Sequence, residues 1–165
     1  MFKIHRILVP VDFTEVADAA ISVALQLANE HAGAELVVLH VREGLDRELR
    51  TRIETHPHDN AIMNAIEEDE RSLTAAIAKE QQRARDAGYT LRSPTVRTFV
   101  SGGDWLDVCL QIIDDQQVDV VVVGTHGGPG GIKGALLGSA SERLVHRAPC
   151  SVFVVKPLGY PYLRD

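Results

Sequence analysis

Aromatic residues make up only 5% of this 165-residue chain, and cysteine is limited to Cys109 and Cys150. The two thiols form no CxxC pair, which excludes a disulfide scaffold. They read as small buried hydrophobes in a reduced compartment. Long apolar runs are also missing: nothing approaches the roughly 18 residues of a membrane span. The N-terminal MFKIHRILVPVDF reaches Asp12 after only five apolar residues, Ile7 to Val11. That is too short for the apolar region of a secretory signal, so a cytoplasmic address is expected. Positive charge is in deficit, with 17 Lys and Arg against 23 Asp and Glu, a net charge of -6 and a pI near 5.6. A nucleic-acid binder would show the opposite balance, and anionic lipid exerts no pull on such a surface. What is present is ordinary for a globular protein: 45% apolar and 24% charged residues. A prior of about 150 residues per domain gives one domain, 1–157, with a tail at 158–165.

The first apolar run, Ile7-Leu8-Val9-Pro10-Val11, is short and β-branched and predicts a buried strand. Thr14 is placed to cap a helix in which Ala17, Ile21, Ala24 and Ala28 recur at helical spacing, with Gly33 as its stop. Leu36 to Val41 predicts a second buried strand, parallel to the first through a right-handed crossover. Residues 42–58 mix both charge signs and read as a solvated connection. A long helix is expected from about Asp59 to Ala87, with Ile62, Ile66, Leu73, Ile77 and Ala84 on its buried face. The run Glu67-Glu68-Asp69-Glu70 would be its wet face. Val96 to Val100 predicts a third strand, and Asp104 caps a helix with Leu106, Cys109, Leu110 and Ile113 inward. Val118 to Val123 is the most apolar stretch and should be central. Ser139 to His146 predicts a short helix, and Val152 to Val155 the last strand. Strands alternating with helices define an α/β fold with an open, mainly parallel five-stranded sheet and helices on both faces. Ligands in such folds bind beyond the carboxyl ends of the strands, where strand order reverses. Asp12 and the 124–138 loop both follow strands directly and fall at that edge.

The densest local signal is the segment Gly124 to Ser139, where six of the 13 glycines fall within 124–134. Glycines let successive N–H groups converge on an anion. Gly138-Ser139 adds a helix N-terminus, which favours phosphate. The alternative is a loop that is merely flexible. It is not a Walker A loop, because no GK[ST] closes it, and not a dinucleotide fingerprint, because it follows a late strand.

The arrangement resembles the universal stress protein family, whose pattern is a strand, G-x2-G-x9-G-[ST], a helix and a final apolar strand. Here it reads Val123-Gly124-Thr125-His126-Gly127, then Leu136-Leu137-Gly138-Ser139, then Glu142-Arg143-Leu144-Val145 and Ala148 to Val155. Ile7 to Thr14 and Leu39-His40-Val41 are also similar to the family, so the resemblance spans residues 4–157. One departure stands out: ten residues, not nine, separate Gly127 from Gly138. The resemblance implies a Rossmann-like fold of the adenine nucleotide alpha hydrolase type. It also implies a site for ATP. Pro10, Val11 and Asp12 would lie against ribose and base, with Val41 giving backbone contacts to adenine. Val123 and Gly124 would form the floor. Gly127, Gly128, Gly138, Ser139 and Ala140 would hold phosphates bridged by Mg2+ or Mn2+, with no protein ligand set for the metal. A homodimer through strand 152–155 is implied as well.

Read without the resemblance, Asp12 is a strand-end cap or turn former. Ser101-Gly102-Gly103-Asp104 is similar to the SGGxD loop of ATP pyrophosphatases but follows the third strand, and reads as a helix-capping turn. His56 and His58 lie in a polar loop and read as solvated. His40, at a strand end, reads as a packed core histidine. His126 and Lys133 are placed to approach a phosphate, or simply to be exposed. No nucleophile with a base and an orienter is marked, and no carboxylate pair stands near the loop, so hydrolysis should be slow at most. The expected function is an ATP-binding regulatory module of the stress response with an unidentified protein partner. A family member working through protein contacts alone, and an ATP-consuming enzyme, are the alternatives.

Overall fold

The computed structural model describes residues 3–42, 44–45, 60–92, 94–125 and 138–156. Its elements are β1 (Arg6–Val11), α1 (Glu15–Glu30), β2 (Glu35–Arg42), α2 (Ala61–Asp86), β3 (Thr95–Gly102), α3 (Trp105–Asp115), β4 (Val120–Gly124), α4 (Ser139–Arg147) and β5 (Ser151–Val155). All strand pairs are parallel, in the order β3-β2-β1-β4-β5. The α/β architecture with helices on both faces is the expected one.

Alternation along the strands divides the core. Ile7, Val9, Val11, Leu36, Val38, Val120 and Val122 pack with the alanine-rich face of α1 and with Leu73 and Ile77 of α2. Leu8, Val37, Leu39, Val41, Val121 and Val123 pack on the other side with Leu106, Cys109 and Ile113 of α3 and Leu144 of α4. Strand residues apolar on both faces are what a sheet covered on both sides requires.

Helix starts follow the expected chemistry. The Thr14 hydroxyl accepts from the Ala17 N–H, and the Asp104 carboxylate accepts from Leu106 and Asp107 N–H. The Ser101-to-Asp104 segment is therefore the end of β3 and a capping turn. No described helix is long and apolar enough to cross a membrane. His56, His58, His126, Lys133 and the 158–165 tail lie outside the described residues.

Three expectations need correction. Asp69 is not on a wet face: it is 7% exposed, because Arg42 donates to both its oxygens at 2.7 and 2.9 Å. Arg42 is accordingly the last residue of β2, not part of the charged connection. Cys150 is only half-buried, whereas Cys109 is fully buried. Burial, with the nearby charge of Asp104 adding to it, pushes the Cys109 thiol up to about 12. Burial also raises that of Cys150.

The N-terminal edge of the sheet is braced by charge. Glu35 accepts from Arg6 Nε at 2.9 Å and from Arg97 Nη2 at 3.1 Å, and Arg97 also reaches the Gln116 amide oxygen at 2.8 Å. At the opposite edge Gly124 allows close approach of α1. A Cβ there would stand 2.5 Å from Val16 Cγ1. Valine is stiff at χ1 and cannot swing aside cheaply. Gly124→Ala should lose about 1–3 kcal/mol of stability, the range for overpacking. Urea denaturation should show the loss, and Val16→Ala in the same chain should recover part of it. An unchanged midpoint in Gly124→Ala would refute the close contact.

Candidate functional site at the carboxyl edge of the sheet

The pairing of β1 differs on its two sides. Toward β2 the register runs from Arg6↔Glu35 through Val11↔His40. Toward β4 it covers only Ile7↔Val120 and Leu8↔Val121. Pro10 has no N–H to give to a ladder, and the β4 pairing stops two residues before it. Between the ends of β1 and β4 the strands therefore part. This is also where strand order reverses, the position at which open α/β sheets take ligands.

The described candidate residues lie at the carboxyl ends of β1, β2 and β4 and at the start of α4. Pro10 and Val11 end β1 and are buried, and Asp12 follows them, exposed. Val41 lies near the end of β2 at 8% exposure, and Val123 and Gly124 end β4. Gly138 is the N-cap of α4, and Ser139 and Ala140 are exposed in its first turn. Gly127 and Gly128 lie outside the described residues.

Two contacts tie α4 to the end of β4. The Gly138 N–H donates to the Thr125 carbonyl, and the buried Ser141 hydroxyl donates to the Gly124 carbonyl at 2.7 Å. The first N–H groups of a helix have no intrahelical acceptor, and among the described residues no side chain caps them here. Thr125 adds a second polar group. It is fully buried, and its hydroxyl lacks a hydrogen-bond partner among the described residues. A buried orphan hydroxyl is uncommon in proteins and calls for an acceptor or donor supplied from elsewhere. Donors at the start of a helix suit a phosphate. Among the described residues no group of three His, Cys, Asp or Glu is arranged to hold a metal ion.

The turn after β1 is held from both sides. Asp12 Oδ1 accepts from the Thr14 N–H at 3.2 Å and the Thr14 hydroxyl at 2.6 Å. Asp12 thus does act as a turn former, and it is exposed. Phe13, between them, has φ 61. Left-handed backbone in a residue with a Cβ costs roughly 1–2 kcal/mol, so the surroundings must maintain it. Its ring is 41% exposed and lies 4.5 Å from the His40 ring. His40 Nδ1 is 2.8 Å from the Val11 carbonyl oxygen. His40 is packed, as expected, but its polar contacts are not legible from spacing. Thr125 carries no motif of its own, and its place between the last residue of β4 and the glycine loop is the signal in the sequence.

Residues 3–156 match the model of the universal stress protein family. The chain belongs to that family. Universal stress protein MJ0577 of Methanocaldococcus jannaschii is 27% identical over 94% of this chain and 96% of its own length. Its solved structure covers 96% of this chain and 99% of that one, with a TM-score of 0.71. A universal stress protein of Thermus aquaticus is 29% identical over 94% of this chain and all of its own. A family structure solved in complex with cAMP shares the fold at 20% identity, covering 94% of this chain and 98% of that one, with a TM-score of 0.59.

In this universal stress protein Thr14 serves two masters, the helix cap and the Asp12 carboxylate. Thr14→Ala should cost about 1 kcal/mol, the usual value for a lost N-cap, while Thr14→Ser stays close to the parent. Thermal unfolding monitored by circular dichroism checks both, and equal midpoints for Thr14→Ala and parent would contradict the cap.

Proposed function

We propose that the protein binds ATP across the opening between β1 and β4 and acts as a nucleotide-dependent regulatory module of the cytoplasmic stress response. The observation that carries this reading is the start of α4, without a side-chain cap among the described residues and tied by Gly138 and Ser141 to the end of β4, beside the orphan hydroxyl of Thr125. Helix-terminal N–H groups and the helix dipole favour the charged phosphates. Ser139 and Ala140 would offer their N–H groups there, with Gly127 and Gly128 completing the phosphate loop. Pro10, Val11 and Asp12 would flank ribose and base, the Asp12 carboxylate accepting from hydroxyls. Val41 would meet adenine through its backbone, over a floor of Val123 and Gly124. A bridging Mg2+ or Mn2+ would be held through the phosphates. That a family member was solved with cAMP supports an adenine nucleotide as the ligand class.

Among the described residues no nucleophile stands with an oriented base, and our reading is that hydrolysis is slow at most. A second reading, function through protein contacts alone, is favoured by the extra residue between Gly127 and Gly138. Calorimetry with ATP separates the two. Gly138→Val sets a branched side chain where phosphate approaches, and should weaken binding at least about tenfold, or about 1.4 kcal/mol. Equal affinity of variant and parent would move the phosphates elsewhere, and no binding by the parent would favour the second reading. Turnover above roughly 1 per second, the low end of ordinary enzymes, would make it an ATP-consuming enzyme.

The proposed assembly is a homodimer through β5. This strand is at one end of the strand order, and its Phe153 is 48% exposed. Among the described residues nothing pairs with its outer side. An apolar edge of this kind is a template for another strand, and a two-fold axis lets a second copy satisfy both rows of backbone groups. Light scattering at micromolar concentration should return twice the 18.0 kDa chain mass, and Val154→Pro should shift it toward monomer. A parent protein at 18.0 kDa would end this reading.

A further inference from the structure

His40 is not among the groups assigned to the ligand, yet it grips the segment that carries them. The Val11 carbonyl can only accept, so Nδ1, at 2.8 Å, carries the proton. On the other side of the ring, Nε2 lies 3.9 Å from Asp69 Oδ2. Asp69 is itself fixed, buried in α2 with Arg42 on both oxygens. The imidazole is therefore backed by α2 and aimed at the last carbonyl of β1. Its ring centroid lies 4.5 Å from that of Phe13, and Phe13 holds the left-handed φ of 61 that turns the chain after Asp12. From the far side the same turn is held by Thr14, through the Asp12 carboxylate.

The geometry points to His40 as a positioning residue for the nucleoside half of the ligand. Through the Val11 carbonyl and the Phe13 ring it sets where the Val11 backbone and the Asp12 carboxylate point. This role rests on the proposed nucleotide site. It concerns ribose and base only, because the contacts of His40 run to Val11, Phe13 and Asp69, while Thr125 and the start of α4 hang from the end of β4. A residue that orients the nucleoside end acts on every adenine nucleotide by the same factor and leaves an isolated phosphate chain untouched.

The test compares ATP, AMP and inorganic tripolyphosphate by calorimetry in the parent, His40→Leu and His40→Asn. Leucine removes the donor at similar volume; asparagine keeps an N–H at the place of Nδ1. His40→Leu should bind ATP and AMP about tenfold more weakly, each by the same factor, with tripolyphosphate unchanged. His40→Asn should restore most of the loss. Intact AMP and ATP affinity in His40→Leu, or a loss in His40→Asn equal to that in His40→Leu, overturns the role while leaving the nucleotide site standing. So does an equal loss for tripolyphosphate, which would report a general collapse. A parent that binds no nucleotide overturns both. Independently of any ligand, nitrogen NMR of the free parent at pH 8 should show His40 protonated at Nδ1. A bare Nδ1 would overturn the assignment even if the leucine variant failed to fold.

Discussion

The parting of β1 from β4 is the constraint on which the rest of the site depends. A parallel sheet gains from every added ladder bond, and β1 continues its pairing with β2 to Val11. On the β4 side the ladder ends at Leu8↔Val121, before Pro10. A proline in a central strand is expected only where a ladder bond is dispensable. Here its position coincides with the opening, and the missing N–H keeps the two strands from zipping to their ends. Without that gap Asp12 and the start of α4 would flank a closed edge with no room between them.

The two edges of the sheet are built on opposite lines. At the amino edge, charges face each other directly, Glu35 between Arg6 and Arg97, and Asp119 accepts from the His5 and Arg6 N–H groups, although Arg97 Nε stays without a hydrogen bond there among the described residues. At the carboxyl edge the polar groups are aimed but incompletely used. Among the described residues the first N–H groups of α4 lack a side-chain cap, the Thr125 hydroxyl has no partner, and Asp12 remains exposed while holding Thr14. Leaving buried polar groups unsatisfied is destabilising on its own account.

Much of this was open to reading from the chain. Helical and strand periodicities report burial, and burial is what Ile7 to Val11, Leu36 to Val41 and Val118 to Val123 display. The caps at Thr14 and Asp104 are local, so their sequence context suffices. Asp69 shows where such reading fails. It stands three residues after Ile66 and four before Leu73, within the buried stripe of α2, but its acidic neighbours Glu67, Glu68 and Glu70 mask the spacing. Its partner Arg42 is remote in sequence, and no periodicity announces a pair. The grip of His40 on Val11 is hidden for the same reason: it follows from the register of β1 against β2, which only the folded sheet supplies. The Gly127 and Gly128 assignments stay at the level of motif, since they fall outside the described residues.

The short β1–β4 ladder has a mechanical meaning. It makes the sheet two plates, β3-β2-β1 and β4-β5, hinged along a brief seam near the amino edge. The splint across the hinge is α1, which touches β1, β2, β4 and β5. Its buried face is largely alanine, Ala17, Ala20, Ala24 and Ala28, and it meets the second plate at Gly124 through Val16. Small side chains hold a splint close, and close packing leaves it little play. The aperture between the plates is therefore a property of helix packing behind the sheet, set by methyl groups that never face the crevice they hold open.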